Sequence, residues 1–219
     1  MVAYPPLPDP RGIPLLSQNR QFQWFNKPTF VYPMVPACAA TMAARAGHEV
    51  CWADGIAERW TPARFEDEVA RFNPDVILIE TKTPVIKRHW EIIRRLKQIR
   101  PEARLVLCGD HVTALPEESM LACPVDFILT GGDYDFLLLD LLRHLVEGAA
   151  LPPGVWLRRD GQTCSTGLFE LRHDLDAIPQ VDRDLTKWRL YSTENGNFKY
   201  TPGTYTMVSR DCWWGKCSF

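Results

Sequence analysis

Three features of the 219-residue sequence predict a doubly wound α/β fold built on a five-stranded parallel sheet. Short apolar runs alternate with amphipathic stretches of helical period, five times between residues 29 and 148. The runs DVILIE and RLVLCG are almost free of polar residues, the pattern of strands covered on both faces. Helix start and stop signals punctuate the stretches between them: Thr61-Pro62 opens one, and Gly47 and Gly148 close others.

The elements follow in order. TFVYPMV (29–35) reads as the first strand and 36–46 as a small-residue helix. HEVCWAD (48–54) is the second strand, and a helix capped by Thr61 runs to Phe72. Strand three is 75–80. Ile86, Trp90, Ile93 and Leu96 then mark the core face of a helix that ends before Pro101. RLVLCG (104–109) is strand four, 115–121 a short helix, VDFILTGG (125–132) strand five, and 134–147 a leucine-rich helix. Right-handed crossovers leave the flavodoxin-like strand order 2-1-3-4-5. Eight prolines in the first 36 residues predict an extended arm, one whose Leu15, Leu16, Phe22, Trp24 and Phe25 must pack on something. Residues 154–171 read as a hairpin about Asp160-Gly161, residues 172–203 as a linker or strap, and 204–210 as a new strand. The resulting division is an arm (1–28), an α/β domain (29–148), a hairpin and linker (149–203) and the start of a further domain (204–219).

Composition narrows the function. A net charge of -2 removes the electrostatic case for nucleic acid or an anionic membrane surface. No membrane-length apolar run or signal peptide is legible, so a cytoplasmic protein is expected. Seven scattered cysteines argue against a disulfide framework, and Cys38, Cys51, Cys108 and Cys123 fit core positions. His48, His89 and His144 read as solvated or capping residues.

Ligands of open parallel sheets sit at the carboxyl ends of the strands. The loop after the first predicted strand carries neither G-x-G-x-x-G nor a P-loop, no hydroxyl-rich flavin-phosphate loop and no acids for a magnesium ion. The later ends are richer. Strand three leads into Thr81 and Thr83, strand four into Gly109, His111 and Thr113, and strand five into Gly131 and Gly132 before a helix start. Glycines and hydroxyls with little charge suit a large, mostly neutral ligand bearing amides and one phosphate. A tight strand-to-helix turn at Gly131-Gly132 is the structural alternative. Cys212 and Cys217 enclose Trp-Trp-Gly-Lys, and two thiolates at this spacing chelate zinc or an iron–sulfur cluster only with further ligands.

SRDCWWGKCSF resembles the opening of a radical S-adenosylmethionine barrel, whose family carries C-x-x-x-C-x-x-C after its first strand. Cys212 and Cys217 match the first two cysteines and Phe219 the aromatic residue before the third. Four residues rather than three separate the first pair. Together with GDHVTALPEE and TGGDYDF, the order of parts is similar to the cobalamin (B12)-binding radical SAM proteins. Classical cobalamin domains ligate cobalt through D-x-H-x-x-G; Phe30 and Tyr32 stand in the comparable stretch. The resemblance therefore implies cobalamin without a histidine lower ligand, with His111 as a substitute or a contact at the corrin edge.

It also implies a 4Fe-4S cluster on Cys212 and Cys217, S-adenosylmethionine on its open iron, and radical methyl transfer or a related carbon-centred reaction. A small-molecule substrate bound by the barrel, an electron donor such as a flavodoxin or ferredoxin, and no turnover by these 219 residues alone complete the expectation. Two alternatives stay open: a non-catalytic cobalamin carrier or sensor, and a flavodoxin-like domain with a zinc knuckle.

Overall fold

The computed structural model describes residues 1–16, 23–159, 161–196 and 198–210. Its main sheet has seven strands: β1 (Val2–Tyr4), β4 (Trp52–Asp54), β5 (Val76–Glu80), β6 (Arg104–Cys108), β7 (Phe127–Leu129), β8 (Val155–Arg159) and β9 (Gln162–Ser165), in the order β4-β1-β5-β6-β7-β8-β9. The first five pair in parallel, in the expected order 2-1-3-4-5. The hairpin β8-β9 adds antiparallel to β7, so it extends the sheet. A separate pair, β2 (Ile13–Leu15) with β3 (Gln23–Phe25), folds the arm back on itself and buries Leu15.

Alternate strand residues feed two cores. Leu78, Val106 and Leu129 face α1 (Met34–Arg45) and α6 (Tyr134–Glu147), where Ala37, Ala40 and Ala43 pack with Leu137, Leu138 and Leu141. Ile77, Ile79, Leu105, Leu107 and Ile128 face the other way. They meet Phe65 and Val69 of α2 (Pro62–Phe72), Ile93 and Leu96 of α3 (Ile86–Ile99) and Met120 of α5 (Pro116–Ala122). Thr61 caps α2 by accepting the Arg64 N–H at 3.2 Å.

Three expectations are corrected. The first strand is Val2–Tyr4, between β4 and β5, and not 29–35. Phe30 and Tyr32 are buried without a sheet ladder: the Phe30 amide donates to the Glu194 carbonyl, and its own carbonyl accepts from Asn195 Nδ2 at 2.6 Å. Burial by a strap gives the same apolar run as burial in a sheet. Residues 204–210 form no strand among the described residues, and Arg183 instead bonds the Thr204 hydroxyl and the Tyr205 carbonyl. His89 is fully buried rather than solvated or capping.

The strap is well fastened. The Asp182 amide donates to Thr41 Oγ1 of α1 at 3.0 Å, Tyr32 bonds Thr186, and Tyr191 docks on β4. No helix among the described residues is long and apolar enough to cross a membrane.

Candidate functional site

The carboxyl ends of β5, β6 and β7 lie side by side, so Thr81, Thr83, Gly109, His111, Thr113, Gly131 and Gly132 are brought to one edge of the sheet. Their roles differ. Gly109 has φ +108°, and a Cβ there would lie 2.4 Å from the Thr81 carbonyl oxygen. That backbone turn starts a short helix, α4 (Asp110–Ala114), so His111 and Thr113 sit on a helical turn rather than in a loop. Thr113 Oγ1 donates to the Gly109 carbonyl at 2.9 Å and accepts the Gly131 N–H at 3.0 Å, tying two strand ends together. Gly131, at φ +84°, admits the Phe169 ring, which a Cβ would meet at 2.3 Å.

Thr81 is fully buried, with its hydroxyl 2.7 Å from His89 Nδ1. Burial holds the His89 pKa down at about 3, so the ring is neutral. His111 also faces inward. Its Nδ1 is 3.1 Å from Thr83 Oγ1 and its ring lies edge-on to Trp90. Its Nε2 is 3.2 Å from Glu118 Oε2, without the geometry of a hydrogen bond. A ring 3% exposed in this setting is not presented to a ligand at the sheet edge as a cobalt ligand would be.

What remains open is a rim of exposed Thr83, Asp110, Thr113 and Gly132, with no atom within 4 Å of the place a Gly132 Cβ would take. Asp110 is paired with Lys82 Nζ at 2.8 Å, so the rim carries hydroxyls and backbone with its charge compensated. That donor set fits the amide-rich periphery of a corrinoid. The start of α6 does not fit a phosphate. Asp133 and Asp135 are both buried there and bind Arg210, so carboxylates occupy the positive end of the helix.

Several groups at this end had no sequence signal. Asp54, at the end of β4, accepts the Ile56 and Ala57 amides at 3.0 and 2.8 Å and the Tyr191 hydroxyl at 2.6 Å. Trp52 Nε1 donates to the same hydroxyl at 3.0 Å. Burial raises the Asp54 pKa to about 6, the three hydrogen bonds opposing it. Glu80 lies between the Tyr4 and Tyr134 hydroxyls, at 2.5 and 3.2 Å; burial first, then this carboxylate, push both phenols well above their usual range. The acids of TGGDYDF were legible, but their partner lies 75 residues away.

Cavities lie at both ends of the sheet. One of about 430 Å³ opens between Met34 and Cys38 of α1, the strap and residues 206–210. Another, about 490 Å³, lies at the amino ends of the strands around Val2, Val50 and Val76, opposite to where this fold takes ligands. No group of three potential metal ligands occurs among the described residues. Cys212, Cys217 and Phe219 lie outside them.

Comparison with known proteins agrees with the architecture. Residues 29–136 match the family model of the B12 binding domain, a match that begins after β1 and takes in α1 to the start of α6. The α/β unit is therefore similar to the B12-binding type over those residues, just under half of the chain. A relative, "Uncharacterized methyltransferase PH0819" of Pyrococcus horikoshii, is 26% identical over 182 residues, 82% of this chain and 38% of its own length. The chain thus spans well under half of that relative. Among solved structures, the radical S-adenosylmethionine methyltransferase TsrM of Kitasatospora setae, with cobalamin and a 4Fe-4S cluster bound, superposes with a TM-score of 0.52 at 15% identity. The match covers 63% of this chain and 28% of TsrM. The same enzyme with tryptophan substrate and aza-SAM bound gives 0.53 at 16% identity, over 65% of this chain and 29% of TsrM. At these identities the likeness is one of fold.

Proposed function

We propose that this chain is the corrinoid-holding part of a cobalamin-dependent radical SAM methyltransferase. The observation that carries the reading is a B12-binding domain match laid on a sheet whose carboxyl edge keeps Thr83, Thr113 and Gly132 open. Cys212 and Cys217 follow later in the sequence, in a stretch that resembles a cluster-binding opening with one residue more between the first two cysteines. Cobalamin, when bound, supplies methyl transfer at cobalt, and a 4Fe-4S cluster with S-adenosylmethionine supplies radical initiation.

The chain's own residues have simpler tasks. Thr83, Thr113 and the Gly132 backbone offer hydrogen bonds to corrin amides. Phe169, packed against Gly131, and the strap fastened by Tyr191 keep water from the strand ends beneath. With His111 buried, the exposed rim of Thr83, Asp110, Thr113 and Gly132 would offer a bound corrinoid no histidine. Cys212 and Cys217 supply two thiolates, and Phe219 flanks the position of a third. A small-molecule substrate and a flavodoxin- or ferredoxin-type electron donor complete the reaction.

Anaerobic reconstitution of the product of the full reading frame tests this reading. Expected are one equivalent of cobalamin, retained on gel filtration with a shifted corrin spectrum, and an iron–sulfur chromophore that responds to S-adenosylmethionine. Cobalamin bound beside a cluster indifferent to S-adenosylmethionine would mark a non-catalytic carrier. Zinc uptake with no corrinoid would overturn the reading altogether.

A further inference from the structure

Arg210 lies two residues before Cys212 and is 9% exposed in its side chain. Its Nη1 donates to Asp133 Oδ1 at 3.1 Å and Asp135 Oδ1 at 2.8 Å, and its Nη2 to Asp135 Oδ2 at 2.6 Å. The fork therefore grips both oxygens of Asp135 and one of Asp133. The other Asp133 oxygen is 3.3 Å from His173 Nδ1, and the His173 ring stacks on Phe136 at 4.5 Å, 8° from parallel. Arg210 and Cys38 of α1 line the same cavity. One guanidinium thus joins the start of α6 to the chain that leads toward the cysteine segment. Burial opposes its charge, but the two aspartates hold its pKa above the ordinary arginine value.

Two carboxylates out of water demand a cation, and only a planar fork bonds both Asp135 oxygens while keeping a donor for Asp133. The contact is thus specific for where residue 210 sits on the domain. Two residues of chain reach no farther than about 7 Å. Asp133 and Asp135 open the helix that follows Gly131-Gly132, so the anchor point borders the open rim.

We propose that Arg210 is a positioning residue that holds the chain at residue 210, two positions before Cys212, against the corrinoid edge of the sheet and so limits the separation between the two cofactors. The clamp stands on the geometry above; its consequence for cofactor separation rests on the function proposed in the preceding section.

Hydrogen exchange read by mass spectrometry tests the clamp without any cofactor. In Arg210→Met, amides of residues 204–210 should exchange at least tenfold faster, while β5 and β6 keep their protection. Arg210→Lys should recover only part of the loss. The triple variant Arg210→Met, Asp133→Asn, Asp135→Asn removes the uncompensated acids and guards against simple misfolding; it should release the same segment. Unchanged exchange in both the Met and triple variants would overturn the proposal.

The second measurement uses the product of the full reading frame, loaded with iron, sulfide and cobalamin. The electron paramagnetic resonance signal of the reduced cluster should change on adding cobalamin in the parent. In Arg210→Met that change should vanish although both cofactors are retained. An unaltered response in Arg210→Met would refute the positioning role. A parent that takes up no iron would refute the proposed function instead, leaving the exchange result to decide the clamp.

Discussion

Replacing Asp54 by Asn should remove a pH dependence of stability that the buried lock at Tyr191 builds into the fold. The folded Asp54 pKa is raised from 3.8 to about 6, by burial above all. A carboxyl whose pKa is higher in the folded state holds its proton where the unfolded chain has already released it. Its contribution therefore falls as pH rises from 3.8 to about 6 and is constant above. The span is roughly 2 pKa units, and at 1.36 kcal/mol per unit the loss is about 3 kcal/mol. Asp54→Asn keeps an oxygen for the Ile56 and Ala57 amides and an amide facing Tyr191, so the fold should survive. The assay is urea unfolding of parent and variant at pH 4, 5, 6 and 7.5. His89 titrates oppositely in an overlapping window, so the difference between the two proteins is the quantity to plot. The parent should lose about 2.4 kcal/mol relative to Asp54→Asn between pH 4 and pH 7.5, the rest of the loss falling below pH 4. A flat difference, or one that favours the parent as pH rises, would refute the reasoning.

Further outcomes follow from the same structure. The neutral His89, with its pKa lowered from 6.5 to about 3 by burial, contributes stability present above pH 6.5 and lost as pH falls toward 3; by pH 4.5 the loss is about 3 kcal/mol, and His89→Gln should show a flatter acid limb in urea titrations. Gly131→Ala meets both a left-handed backbone and the Phe169 ring, so it should cost about 1–3 kcal/mol by thermal or urea unfolding. Adding Phe169→Ala should recover the steric share of that cost and leave the backbone share. Gly132→Trp faces open space and should leave the unfolding midpoint nearly unchanged, yet weaken cobalamin binding at least tenfold in a spectral titration.

The strand-and-helix alternation from Trp52 to Glu147 was legible because each element carries its own burial period. β1 was not, since three residues hold no period and 29 residues separate Tyr4 from Met34. Phe30 and Tyr32 imitated a strand because a strap covers them from residues 186 to 195, a contact no local window contains. At the candidate site, residue type was the better guide and partner the poorer one. Gly109 and Gly131 are glycines because protein approaches them closely, the Thr81 carbonyl at one and Phe169 at the other; only Gly132 keeps the openness expected of all three. Asp133 and Asp135 stood in plain view beside a helix start. Their meaning changed once Arg210, far along the chain, neutralised them.

The central claim is where a corrinoid sits. Hydrogen exchange of the 219-residue chain with and without cobalamin reads this directly. Protection should appear around Thr83, Asp110, Thr113 and Gly132, at the carboxyl ends of β5 to β7. Protection confined to Val2, Val50 and Val76, at the other end of the strands, would contradict the account.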